Sequence, residues 1–263
     1  MSSCKVISIS NQKGGVAKTT TVLNLGYTLS ELGYKVLLVD IDPQSNLTMC
    51  LGVDKPDELE TTICHPIMSV IDNKKLPDKD KYILTIDKID LIPCSIELSA
   101  IESFKLASAM NRESVLKRIL ANVKDDYDYI IIDTMPSLGL LTVNALAACD
   151  SVIITATPQY LSVKGLEMLH GTIKQAREQI NPAIAIEGIL LTMCDTRTIL
   201  FKEVYAIIQE ACEKQIRIFK NVIPVSVKVG EANLYGRSLI EYQPDNKVTA
   251  AYKAFTKELV SNG

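Results

Sequence analysis

The sequence predicts a single doubly wound α/β domain spanning residues 1–263, with a mainly parallel sheet and helices on both faces. Three observations predict it. A short apolar run, Lys5–Ser10, passes through Gly14 and Gly15 into a helix-patterned stretch that opens at Lys18. Further apolar runs alternate with helical patterns nearly to the end of the chain. Two of those runs stop at aspartates, Asp40 and Asp133, and strand ends are where an open parallel sheet binds ligands.

Taken in order, Val6, Ile7 and Ile9 make Lys5–Ser10 a buried strand, and the stretch from Lys18 reads as a helix. Lys35–Asp40 is a second strand. Residues 52–80, broken by Pro56, Pro66 and Pro77, read as surface loops with a short helix. Leu84–Pro93 contains a strand at Ile89–Pro93, and Ser95–Phe104 and Glu113–Val123 read as helices. Four apolar residues lead to Asp133 within Tyr127–Ser137. Ser151–Ala156 is a strand followed by a helix to about Gln179, and Ile184–Thr192 is another strand. Residues 199–213 form a helix, and Asn221–Tyr235 a short strand with an irregular turn. Asp245–Val260 closes the chain as an amphipathic helix with Val248, Ala251, Tyr252, Phe255 and Leu259 on one face.

Composition narrows the class. A chain of 263 residues buries roughly three quarters of its unfolded surface, and 47% hydrophobic content suits a well-buried sheet. No apolar run approaches the ~18 residues of a membrane span, and MSSCKVISIS lacks the form of a signal peptide, so a cytoplasmic protein is expected. Seven scattered cysteines without a C-x-x-C pair read as reduced core residues rather than a metal or iron–sulfur site. The net charge of −3 neither announces nor excludes nucleic acid, because screening over about 8 Å leaves the matter to a local basic patch.

The stretch KVISISNQKGGVAKTT has the strand–glycine loop–helix order that turns backbone N–H groups and a helix N-terminus on a phosphate. The strict P-loop pattern fails, because Gln12 and Ala17 stand where it demands glycine. The form K-G-G-x-x-K-[ST] fits, with Lys13, Gly14, Gly15, Lys18 and Thr19, which makes this a P-loop NTPase with a deviant Walker A motif. Lys18 would reach the β- and γ-phosphates, and the Thr19 hydroxyl would take a Mg²⁺ position. Lys13 is superfluous on its own loop and useful if it reaches a phosphate held by another subunit. Asp133 has the Walker B position, where an aspartate holds Mg²⁺ directly or through water. Asp40 and Asp42 bracket Ile41 at the strand edge next to the loop.

With these motifs in place the chain resembles the ParA/Soj branch of the ParA/MinD family of deviant Walker-A ATPases. The resemblance rests on NQKGGVAKTTT (11–21), VLLVDIDPQSN (36–46), YIIIDTMPS (129–137), GILLTMCDTRT (188–198), VIPVSVKVGEA (222–232) and YGRSLIEY (235–242). It implies a weak Mg²⁺-dependent ATPase in which ATP builds a nucleotide-sandwich homodimer, with Lys13 contacting the partner's nucleotide. The dimer would bind double-stranded DNA without sequence preference and so associate with the nucleoid. A ParB-like protein would stimulate hydrolysis and release it.

By position, the resemblance gives the nucleotide to Lys13, Gly14, Gly15, Val16, Ala17, Lys18, Thr19 and Thr20. It gives the attacking water to Asp42 and metal support to Thr19, Asp40 and Asp133. Met193, Asp195 and Pro224 would meet the base. Gly14 would stay small because the other subunit approaches it. Three positions depart from the pattern: Ala17 replaces a glycine, Val225 an arginine that helps to grip DNA, and Asn233 a proline. Arg197, Lys202, Lys220, Lys228 and Arg237 remain as DNA contacts. No helix-turn-helix stretch precedes the first strand, which argues against sequence-specific repression. The C-terminal helix is not basic enough to suggest MinD-like membrane binding. Two functions therefore stand as expectations. One is a chromosome- or plasmid-partitioning ATPase; the other is an ATP-switched regulatory or positioning protein with little DNA affinity. A small-molecule kinase or synthetase would need an acceptor pocket that the sequence does not reveal.

Overall fold

The computed structural model describes residues 4–159, 161–212 and 216–261. The chain runs β1 (Lys5–Ser10), α1 (Lys18–Glu31), β2 (Val36–Asp40), α2 (Asn46–Cys50), α3 (Cys64–Ile71) and α4 (Lys79–Tyr82). It continues through β3 (Leu84–Ile86), β4 (Ile89–Ile92), α5 (Glu97–Ala100), α6 (Val115–Ala121), β5 (Tyr129–Asp133), α7 (Leu140–Ala148) and β6 (Ser151–Ala156). Then follow α8 (Leu161–Gln179), β7 (Ala185–Leu191), α9 (Ile199–Cys212), α10 (Lys228–Leu234), α11 (Leu239–Tyr242) and α12 (Lys247–Val260). The Cys212 side chain and residue 213, the last of the predicted helix, lie outside the described residues.

The seven strands form one sheet in the order β3-β4-β2-β5-β1-β6-β7. Every neighbouring pair is parallel except β3 and β4. Parallel strands are covered on both faces, which is why the runs at 36–39 and 130–132 are apolar throughout rather than alternating. Successive side chains still point to opposite faces. Ile7, Ile9, Leu38, Ile131 and Ile153 pack with α1 and α12, through Leu23, Leu25, Tyr252 and Phe255. Val6, Leu37, Val39, Ile130, Ile132 and Ile154 pack on the other face with α6, α7 and α8, through Ile119, Leu141 and Leu169.

The predicted stripe of the last helix is a core stripe. Val248, Tyr252, Phe255 and Leu259 are buried and Ala251 is partly buried. Each of the larger side chains contributes roughly 1.5–3 kcal/mol by leaving water.

Several predicted elements are redrawn. Asn221–Tyr235 holds no strand; its Ile223 N–H donates to the Leu191 carbonyl at the end of β7, Pro224 makes an isolated bridge with Cys194, and the segment then forms α10. Pro224 carries no N–H to extend a ladder. The helix expected over Ser95–Phe104 is one turn of α5 continued by a π-type turn over Ile101–Lys105. Leu84–Pro93 is an antiparallel hairpin rather than one strand, turned at Asp87, whose φ of 52° is left-handed.

Register determines what the sheet edge carries. Asp133 of β5 lies opposite Ile9 of β1 on one side and opposite Asp40 of β2 on the other. The glycine loop and both strand-end aspartates thus leave the sheet side by side. Among the described residues no helix is long and apolar enough to cross a membrane. Cys4, Cys64, Cys94, Cys149 and Cys194 are buried free thiols, and Cys50 is a partly buried one.

Candidate functional site

The loop after β1 is anchored before it curls. The Asn11 amide donates to the Thr155 carbonyl on β6, and its Oδ1 accepts from the Lys13 N–H at 2.9 Å. Gly15 and Ala17 then take left-handed φ values of 68° and 59°, and α1 begins at Lys18. Ala17 therefore occupies a conformation that suits glycine, at a cost of roughly 1–2 kcal/mol. No side chain caps α1, so its first N–H groups are left for a ligand. The Thr192 hydroxyl donates to the Val16 carbonyl at 3.1 Å and ties the loop to the end of β7.

Lys18 is buried and its ammonium donates to the Lys13 carbonyl at 3.2 Å. Burial lowers its pKa, while Asp133 and Asp42 act in the opposite direction. The Thr19 hydroxyl donates to Asp133 Oδ2 at 2.7 Å. Asp133 Oδ1 is buried without a hydrogen-bond partner. Burial and then the neighbouring Asp40 hold the Asp133 carboxyl well above the usual carboxylate range. Asp40 is pushed up to about 6, by burial above all. A hydroxyl, an unpartnered carboxylate oxygen and surplus negative charge are a hard-oxygen donor set that fits Mg²⁺. No group of three or more His, Cys, Asp or Glu side chains could hold a metal among the described residues. The remaining ligands of such an ion would be phosphate oxygens and water.

Lys18 and Thr19 open on a cavity of 510 Å³, with Asp133 buried behind them. Gly14, Gly15, Val16, Ala17, Lys18, Thr19, Thr20, Asp42, Met193 and Pro224 line it together. Asp42 is nearly buried there, and its Oδ1 accepts from the Gln44 N–H at 2.9 Å. Asp195 and Lys13 are apart from them, on an adjoining pocket of 370 Å³ shared with Gly14, Gly15 and Phe201. The Lys13 ammonium donates to Gln159 of the same chain. Asp40 lies wholly buried behind the cavity, with both oxygens accepting hydrogen bonds.

Of the five basic residues, Arg197 forms a two-pronged pair with Asp195 at 2.9 and 2.9 Å, and Lys228 pairs with Glu231 at 2.7 Å. Lys202, Lys220 and Arg237 are exposed.

Sequence reasoning missed much of the cavity wall. Ser226, Val229, Gly230 and Asn233 line it from α10 and the turn before it. Their spacing of three, four and seven residues marks one helix face, a signal present in the sequence but read there as an irregular turn. Asn46, Cys50, Pro136, Val225 and Tyr252 also line the cavity. Burial, then Asp133 and Asp40, push the Cys50 thiol up to about 12, so it is an inert wall.

A parallel sheet whose first loop curls around a buried lysine, with a hydroxyl and a strand-end aspartate bonded beside it, defines a P-loop nucleotide-binding protein. Residues 4–186 match the AAA domain family model. The sporulation initiation inhibitor protein Soj of Bacillus subtilis is 43% identical over 261 residues, covering 98% of this chain and 99% of Soj. The chromosome partitioning protein ParA of Myxococcus xanthus is 38% identical, over 97% and 88% of the two chains. A cobyrinic acid a,c-diamide synthase from Mycobacterium smegmatis, solved with ADP and magnesium, superposes with a TM-score of 0.84 at 32% identity, over 98% and 95%. The chain belongs to the ParA/Soj branch of the ParA/MinD family of P-loop ATPases.

Proposed function

We propose that this chain is an ATP-dependent partitioning ATPase that binds and slowly hydrolyses ATP with Mg²⁺. The observation that carries this reading is the convergence of Lys18, Thr19 and Asp42 on one cavity, with the buried Asp133 carboxylate bonded to Thr19 just behind it. Phosphoryl transfer needs positioning and charge neutralisation more than covalent help. Lys18 and the uncapped N–H groups of α1 hold the phosphates. Thr19 and Asp133 hold Mg²⁺, which when bound neutralises phosphate charge. Asp42 orients the attacking water. Met193, Pro224 and the inner face of α10 receive the base.

In this reading two chains form a nucleotide-sandwich dimer. Gly14 is exposed, and a Cβ built on it meets nothing within 4 Å, which leaves room for a second subunit. Lys13 leaves Gln159 to reach the partner's nucleotide. The dimer binds DNA nonspecifically through Lys202, Lys220 and Arg237, and a ParB-like partner triggers its release.

Gel shift on nonspecific duplex DNA tests this. A shift with ATP and none with ADP is expected, weakening with log salt at about −0.9 per phosphate neutralised. Asp42→Ala should elute as a stable dimer with ATP; a monomer would contradict the sandwich.

One observation favours a second reading, a nucleotide-switched positioning protein with little DNA affinity. Val225 exposes an apolar side chain, and Arg197 and Lys228 are already engaged by carboxylates. An ATP-dependent dimer that shifts no DNA at low salt would select it.

A further inference from the structure

Thr48 is fully buried and does not line the cavity, yet it is bonded to the turn that carries Asp42. Its N–H and its hydroxyl both donate to Asp40 Oδ2, at 2.9 and 2.7 Å. The other Asp40 oxygen accepts from the Asp42 N–H at 3.1 Å. A hydroxyl has one hydrogen, so toward Cys94 the Thr48 oxygen acts as acceptor, and it takes the Cys94 N–H at 3.1 Å. A continuous line of bonds thus runs from the end of β4, through α2 and the end of β2, to Asp42. With no solvent access, no water can replace a missing member.

The turn needs such support. Ser45 holds a left-handed φ of 54°, a conformation that persists only where its surroundings impose it. Within the turn the Ser45 N–H donates to the Asp42 carbonyl at 2.8 Å. The chain bends back at Ser45 into α2, and Thr48 sits one turn further on.

We propose that Thr48 is a positioning residue for hydrolysis: acting through the Asp40 carboxylate, it holds Asp42 where it meets the attacking water. This rests on the reading of Asp42 given above. Asp40 on this account orders the turn rather than the metal. Valine in place of Thr48 keeps the shape but removes the donor to Asp40 and the acceptor for Cys94. Serine keeps both.

The test compares wild type, Thr48→Val, Thr48→Ser and Asp42→Ala in single-turnover ATP hydrolysis, affinity for a fluorescent ATP analogue and amide hydrogen exchange over residues 41–49. Thr48→Val should hydrolyse about ten- to a hundredfold more slowly. Its analogue affinity should stay within about threefold and exchange over 41–49 should rise about tenfold. Thr48→Ser should recover most of the rate and the protection. Thr48→Ala is held to the same criteria where valine fails to fold. The Thr48 role alone is overturned if Asp42→Ala is inactive while Thr48→Val keeps the wild-type rate. It is also overturned if serine is as slow as valine, or if affinity falls in step with rate. Wild-type hydrolysis by Asp42→Ala would overturn the Asp42 reading and the Thr48 role together.

Discussion

The Thr19 hydroxyl and Asp133 Oδ2 are 2.7 Å apart, so the first turn of α1 is fastened to the end of β5 across 114 residues of sequence. The bond occupies one carboxylate oxygen and leaves the other buried and unpartnered. An ion that draws on both residues completes that oxygen at no cost in new backbone order. Thr19→Val should therefore lose the Mg²⁺-dependent part of nucleotide affinity, about tenfold or more. Titrating labelled ADP with and without Mg²⁺ reads this directly; equal affinities with and without the ion in wild type would contradict it.

The two loop lysines should separate. Lys18 is buried in the cavity, whereas Lys13 faces the adjoining pocket. Lys18→Ala should bind no ATP analogue, while Lys13→Ala should bind it and remain monomeric in sedimentation velocity. Parallel loss of affinity in both variants would refute separate roles.

Asp195 should restrain DNA binding. The Arg197 guanidinium, by hydrogen bonds and charge, holds the Asp195 carboxyl down at about 2. A depressed carboxyl is ionised above that value, so the pair persists at neutral pH and dissolves only as pH falls through about 2. Asp195→Asn frees the guanidinium throughout. ATP-dependent affinity for nonspecific duplex should rise a few fold, with a salt slope steeper by about 0.9. An unchanged slope would show that Arg197 faces no phosphate.

Phe255 should be a large stability determinant. It is fully buried on α12 and meets Phe219 edge to face, with ring centroids 4.8 Å apart at 87°. Phe255→Ala should cost about 3–5 kcal/mol, seen as a lower urea midpoint. A loss below about 1 kcal/mol would mean that the layer collapses to fill the gap.

The parallel strands were legible as short, mostly aliphatic runs, because buried parallel strands need no alternation to be recognised, whereas the three-residue, partly exposed edge strand β3 carried too little signal. The loop was legible because its glycines and lysines have fixed spacing. Ala17 shows the limit of pattern matching. It breaks the P-loop motif, yet its backbone adopts the left-handed turn that a glycine would. The roof of the cavity was less legible. Val225–Asn233 lies too far along the chain for local spacing to connect it with Lys18, and the backbone bonds of Ile223–Val225 with Leu191 and Cys194 bring it there. Asp195 was expected beside the base and stands outside that cavity, because its side chain turns to its near neighbour Arg197. Thr48 escaped notice because a hydroxyl inside an apolar stretch carries no signature until its partners are known.

The Tyr252 hydroxyl meets the Thr21 hydroxyl at 3.2 Å, joining positions 231 residues apart. At about 5–20 residues per second, a ribosome makes the second member of that pair roughly 10–50 s after the first. Throughout that interval the loop exists without the helix that closes its back wall. The wall that Tyr252 supplies is among the last parts of this site to be finished, and a chain cut short before α12 would carry every motif of the loop around a cavity open at that wall.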